Sequence, residues 1–127
     1  SALARANADD IKKTVEAFSG DTQQQIQILA LGSEIHVRKK RHITLIEAIN
    51  EAKSAIDVAK YFGITDISVG LEDATRAGDA YLHDLIMACI EAGAQTIVIP
   101  DTVGAMIPEE IYLLIDKVRQ WVGPTIK

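Results

Sequence analysis

An α/β fold of four consecutive strand–helix units with parallel strands is predicted by three observations. Short apolar, β-rich runs recur along the 127 residues, stretches of helical period separate them, and each of those stretches is too long for a hairpin turn. Strands joined in this way run parallel, because a crossover of helical length is what a parallel pair requires.

The first unit opens on residues 2–6 (ALARA), the weakest of the strand signals. A helix is expected over 8–18, where Ile11, Val15 and Phe18 share one face and Asn7 or Asp9 is available as a cap. Residues 25–32 (QIQILALG) form a continuous apolar run, the pattern of a strand buried on both faces. The clearest helix covers 45–62: Thr44 and Glu47 match a capping box, Leu45, Ile49, Ala52, Ile56 and Ala59 make the apolar stripe, and Gly63 stops it. A third strand over 66–70 (DISVG) leads to a helix over 79–92 that ends at Gly93. The fourth unit pairs a strand over 95–100 (QTIVIP) with a helix starting at Pro108, where Glu109 and Glu110 suit the positive end of the helix dipole.

Hydrophobic residues make up 48% and charged residues 24%, a balance that predicts a packed core and excludes disordered and low-complexity classes. A single domain over 1–127 is expected. Lys and Arg number 13 against 18 Asp and Glu, so nucleic acid and anionic membranes find no general electrostatic support as partners. No apolar run approaches the roughly 18 residues of a membrane span. The single cysteine, Cys89, has no internal partner, and the opening lacks both Met and a leader-like pattern; a reducing, cytoplasmic setting is the expectation.

Parallel strands with helical crossovers build either an open doubly wound sheet or a closed eight-fold barrel, and spacing does not choose between them. In both, functional groups collect on the loops after the C-terminal strand ends, which here are 33–41, 72–76 and 101–104. Asp73 and Asp101 lie in two of them and could bind a metal, act as acid or base, or simply cap helices and bond their own loops. Residues 38–41 (RKKR) could hold phosphates or a small carboxylate, or could be a solvated face. Of the histidines, His36 is the best placed for a site, His42 less so, and His83 is expected on or against a helix surface. No pair of them has the i, i+4 spacing of a zinc site. Cys89 reads as a small core residue. There is no Gly-x-Gly-x-x-Gly, no Walker lysine loop and no Gly-x-Ser-x-Gly elbow.

The runs SALARA, LALGSEIHVRKK, SVGLEDATRAG and EAGAQTIVIPDTVGAMIPEE resemble, in motif, order and spacing, the catalytic barrel of the 2-isopropylmalate synthase and homocitrate synthase family. The resemblance covers essentially the whole chain, and EDATR together with PDTVG is its most specific part. It implies a TIM barrel of which these residues are units three to six, half of the barrel and so a partial catalytic domain. It also implies an acyltransferase of amino-acid biosynthesis, leucine biosynthesis among the candidates. Such an enzyme condenses acetyl-CoA with a 2-oxo acid in a Claisen reaction, hydrolyses the thioester, uses a divalent metal ion and works as a homodimer. In that family the metal ligands and a catalytic arginine lie on an Arg-Asp-Gly segment after the first strand and a His-x-His segment on the seventh. Neither segment occurs here, so the resemblance places no metal ligand in this chain and implies that the 127 residues alone are inactive.

Residue by residue, the resemblance implies that Glu72 places or activates acetyl-CoA, that Thr102 contacts the oxo acid and Pro100 walls its pocket, and that Ser33 and Arg5 are further substrate-binding positions. Departures from the family pattern are Gly70 for Ser, Val98 for Asn, Gln27 for His and Ala105 for Tyr, which together imply an altered oxo-acid pocket. Ile107 stands where a capping Thr is usual, a change expected to cost about 0.5–2 kcal/mol unless another group caps the helix. Two rival readings remain. One is a metal-dependent barrel lyase acting on 3-hydroxyacyl thioesters, separable by assay direction. The other is a self-associating half-barrel without catalytic activity, suggested by two unpaired sheet edges.

Overall fold

The computed structural model describes residues 1–18 and 24–127. Its strands are β1 (Ala2–Arg5), β2 (Gln25–Leu31), β3 (Asp66–Glu72) and β4 (Thr96–Val98), and its helices are α1 (Ala8–Glu16), α2 (Leu45–Tyr61), α3 (Asp79–Ala92) and α4 (Pro108–Val122). All strand pairs are parallel and the spatial order is β1-β2-β3-β4. A doubly wound sheet reverses its strand order at a switch point, and no reversal occurs here. The helices touch in succession, α1 with α2, α2 with α3 and α3 with α4, as one layer. This is the arrangement of consecutive units in a TIM barrel.

The core lies between that helix layer and one face of the sheet. Ile26, Ile28 and Ala30 of β2 and Ile67, Val69 and Leu71 of β3 point into it and are all but inaccessible. Each large aliphatic side chain buried in this way stabilises the fold by about 1.5–3 kcal/mol. Facing them, α2 presents Ala48, Ala52, Ala55 and Ala59, small residues that let the helix lie close, with Ile56 filling the remaining depth. The other sheet face carries Leu3, Gln27, Leu29 and Leu31 with Ser68, Gly70 and Glu72, alternate residues of the same strands. A Cβ built on Gly70 would stand 2.9 Å from Gln27 Nε2, so the absent side chain at Gly70 is the room that Gln27 occupies. At the outer edge of β4, Lys127 N–H donates to Gln95 O (3.1 Å) and Lys127 O accepts from Ile97 N–H (2.9 Å), the bond pattern of a parallel ladder.

Element ends follow local chemistry. Asn7 Oδ1 caps α1 by accepting from Asp10 N–H at 2.9 Å, and Thr44 and Glu47 complete their capping box on α2. Glycines at positive φ, Gly63 (84°) and Gly93 (119°), close α2 and α3 where the sequence predicts. Glu110 Oε2 accepts from Ile107 N–H at 3.1 Å, but Ile107 offers no acceptor, so only that half of a capping box forms on α4.

Most elements end within two residues of the sequence reading, and three differences bear on the site. β3 runs on through Leu71 to Glu72, because its pairing with β2 continues to the Leu31–Glu72 register. β4 is shorter than 95–100. Gln95 spends its side chain on Ile67 N–H and Thr65 O, and Pro100 has no N–H to give a ladder. The loop after β2 contains one π-helical turn, His36–Arg41, closed by His42 in the left-handed region (φ 55°).

Candidate functional site

Glu72 is the last residue of β3 and Asp73 the first beyond it, and their environments are opposite. Glu72 points to the sheet face away from the helices and is part-exposed. Lys40 Nζ donates to both of its carboxylate oxygens, at 2.7 and 2.9 Å. Asp73 has φ 69°, a left-handed turn that Asp tolerates better than most residues, and its side chain is fully buried. It accepts from Ser33 Oγ at 2.5 Å and from Arg76 Nε and Nη2 at 2.7 and 2.9 Å. Burial pushes this carboxyl up, but the hydrogen bonds from Arg76 and Ser33 and the neighbouring positive charge outweigh it, so Asp73 titrates below the usual carboxylate range.

The turn is tied to the next strand end. Asp73 N–H donates to Thr102 Oγ1 at 2.9 Å, and Thr75 Oγ1 donates to Asp101 Oδ1 at 2.9 Å. Asp101 also accepts from Ala105 and Met106 N–H, both at 3.1 Å. The Met106 bond is the main reason its carboxyl titrates low, with Ala105 and Thr75 assisting. Of the roles open to Asp101, bonding its own loop is the one it performs in this structure.

Toward β1, a cavity of about 190 Å³ opens at the C-terminal end of the sheet, lined by Arg5, Leu29, Leu31, Lys40, Arg41 and Glu72 among others. Arg5 sits at the end of β1 and its guanidinium is paired with Asp10 of α1, Nε to Oδ2 at 2.5 Å. Arg41 pairs with Glu51 of α2. The strand ends thus bring Arg5 and Glu72 to one cavity. Ser33 and Thr102 instead bracket the Asp73 turn, Ser33 through a hydroxyl that is buried and committed. Pro100 is half-buried between β4 and the Asp101 loop.

Several contributors carry weak sequence signals. Lys40 emerges only as one of four consecutive basic residues, although its i, i+4 relation to His36 places both on one side of a helical turn. Glu34 Oε2 caps α3 from across the loop, accepting from Gly78 N–H at 3.1 Å, a contact between residues far apart in the chain. Tyr81 donates to Leu31 O at 2.7 Å and fixes the end of β2. His83 packs edge-to-face on Trp121, ring centroids 5.3 Å apart, and Cys89 is fully buried in the core.

A family model described as HMGL-like matches residues 1–127, the whole chain. A 2-isopropylmalate synthase of Campylobacter fetus is 37% identical over 121 residues, covering 95% of this chain and 24% of that protein. A 2-isopropylmalate synthase of Saccharolobus solfataricus is 36% identical over 124 residues, covering 98% of this chain and 31% of that protein. A candidate (R)-citramalate synthase of Methanopyrus kandleri is 34% identical over 124 residues, with 98% and 23% covered. The chain therefore spans about a quarter to a third of the length of these relatives. With parallel strands in sequential order and one layer of helices, the chain belongs to the HMGL-like family and forms part of a TIM barrel.

Proposed function

We propose that this chain is part of the catalytic barrel of an acyltransferase that condenses acetyl-CoA with a 2-oxo acid and then hydrolyses the thioester. The observation that carries the reading is Glu72, a part-shielded carboxylate at a strand end, held by Lys40 beside a cavity that Arg5 also lines. The condensation needs a base to take a proton from the acetyl methyl group, so that its carbon can attack the ketone carbon of the oxo acid. Glu72 is that base on this reading. Lys40 keeps its carboxylate in one orientation, and residues 38–41 with Arg5 offer cations for the phosphates of CoA or the carboxylate of the oxo acid. On this reading Thr102 and Pro100 extend the site toward β4, beyond the cavity that Arg5 and Glu72 line, with Ser33 holding the turn between them and β2. The oxo acid meets Gln27 and Gly70 on the sheet face, a floor unlike the family's usual pattern.

The resemblance implies a divalent metal ion, whose chemistry is to polarise the ketone. The residues present do not fit its site: among the described residues no three His, Cys, Asp or Glu side chains are grouped to hold a metal ion. Both oxygens of Asp73 are engaged by Ser33 and Arg76, and both of Asp101 by backbone N–H groups and Thr75. On this reading the ligands come from strands outside this chain, the 127 residues alone do not turn over, and the complete enzyme is a cytoplasmic homodimer of amino-acid biosynthesis.

The test is Glu72→Gln in a protein with the complete barrel, assayed for release of free CoA from acetyl-CoA and a panel of 2-oxo acids. The expected loss in kcat is roughly 10²-fold or more, with KM for the oxo acid little changed. Undiminished CoA release overturns the assignment. A parent protein that only cleaves 3-hydroxyacyl thioesters replaces the synthase reading with the lyase.

A further inference from the structure

His36 is placed with both ring nitrogens aimed at carboxylates. Its backbone N–H donates to Ser33 Oγ at 3.3 Å, and Val37 N–H donates to Ser33 O at 3.1 Å, so the π-helical turn starts from the same buried serine that holds Asp73. From there the imidazole lies between the two acids: Nδ1 is 3.7 Å from Glu72 Oε2, and Nε2 is 3.7 Å from Asp73 Oδ2. Nδ1 is buried and has no hydrogen-bond partner among the described residues. Buried polar atoms are almost always paired, because leaving one unmade forfeits its hydration for nothing. An unpaired nitrogen just out of reach of Glu72 therefore calls for an explanation.

Lys40 supplies it. Its ammonium holds both oxygens of Glu72, and a cation bonded to both oxygens favours the ionised form and so weakens the carboxylate as an acceptor of a substrate proton. Glu72 becomes the stronger base when Lys40, which orients it at rest, lets go; the Lys40 side chain is about half exposed (52%) and so open to an anionic substrate. Once released, Glu72 would lose its orientation unless a second donor were waiting. The geometry points to His36 as that donor, a positioning residue that closes from 3.7 Å onto Glu72 through Nδ1–H while its backbone stays tied through Ser33 to Asp73. This rests on the reading of Glu72 as the base.

The two nitrogens can be tested separately, since an Asn amide falls near the Nδ1 position and a Gln amide near Nε2. In the complete enzyme, with saturating acetyl-CoA, His36→Asn is expected to keep kcat within about threefold. His36→Gln is expected to lose roughly 10–100-fold, the range typical of outer groups that orient a reacting one, with KM for the oxo acid little changed. Thermal midpoints of the two variants should agree. The inference is overturned if Gln equals or exceeds Asn, if both lose activity alike, or if both retain it while Glu72→Gln is inactive. Should Glu72→Gln itself keep full turnover, the assignment of the base falls, a different failure with a different signature. If the Gln variant does not fold, the comparison of Asn with His36→Leu carries the same contrast.

Discussion

Replacing Asp73 by Ala removes the group on which the turn after β3 depends, and its effect can be worked from the contacts. Three side-chain hydrogen bonds end on this fully buried carboxylate, one from Ser33 and two from Arg76. A hydrogen bond to a charged group contributes about 1.5–3 kcal/mol, and the Ser33 hydroxyl would be left buried without its acceptor. The Arg76 side chain is 35% exposed, so its share is discounted toward the fraction of a kcal/mol typical of solvent-screened pairs. Ala also tolerates the left-handed φ of 69° less well than Asp, a penalty of about 1 kcal/mol. The total is about 3–5 kcal/mol, in line with breaking a buried ion pair. For a barrel-sized protein this lowers the thermal midpoint by roughly 6–20 °C.

Asp73→Asn keeps the shape, the turn preference and one acceptor, and should cost about half as much; Asp73→Gly should recover about 1 kcal/mol relative to Ala, because glycine bears no left-handed penalty. Thermal and urea unfolding of the complete protein read all three. The sign of the pH dependence follows from the lowered folded-state value. The stabilisation is complete above the unfolded carboxylate value of about 3.9 and disappears as pH falls through the lower folded value. The parent should therefore lose stability more steeply than Asp73→Asn below about pH 4. An Ala variant within about 1 kcal/mol of the parent, or Ala and Asn of equal stability, would refute the reasoning.

Two further predictions concern the helices. Ile107→Thr supplies the acceptor that the start of α4 lacks and should raise the urea midpoint by the equivalent of about 0.5–1 kcal/mol at unchanged m, whereas an unaltered midpoint shows that Pro108 and Glu110 already suffice. Burial pushes the Cys89 thiol up to about 12, so a disulfide reagent at pH 8 should label it only in denaturant; stoichiometric labelling of the native protein would place the thiol outside the core.

The strand–helix alternation was readable because its causes are local. Thr44 and Glu47 cap α2, Gly93 closes α3, and the alternating burial of β2 follows from its apolar run. The order of the strands was not readable, since crossover length is the same in a barrel and in an open sheet. The strand ends pointed to the stretches 72–76 and 101–104, and it was the family resemblance that singled out Glu72 and Thr102 within them. What Asp73 does could not be read, because its partners are Ser33, forty residues earlier in the chain (a separation of 40), and an Arg76 whose approach depends on the left-handed turn. The Glu34 cap on Gly78 is invisible for the same reason, being a contact made only once β2 and β3 are paired. His36 was visible as a candidate, but its place between two carboxylates needs the π-helical turn, which no residue pattern announces.

The neighbouring acids show how one dipeptide yields two kinds of carboxylate. Along β3, residues alternate between the helix layer and the opposite sheet face, so Leu71 is buried in the core and Glu72 must face the other way. Continuing the strand would send Asp73 back into the apolar layer as an unpaired charge, a costly placement. The left-handed turn at Asp73 avoids this by swinging the chain toward β4, where Thr102 takes its N–H, and toward β2, where Ser33 meets its carboxylate. Asp73 is thereby neutralised by fixed partners and stays bound to structure. Glu72 is left with one partner on a long, half-exposed lysine that can depart. Under the proposed function, reactivity belongs to Glu72, and Asp73 provides the fixed point from which His36 would hold it.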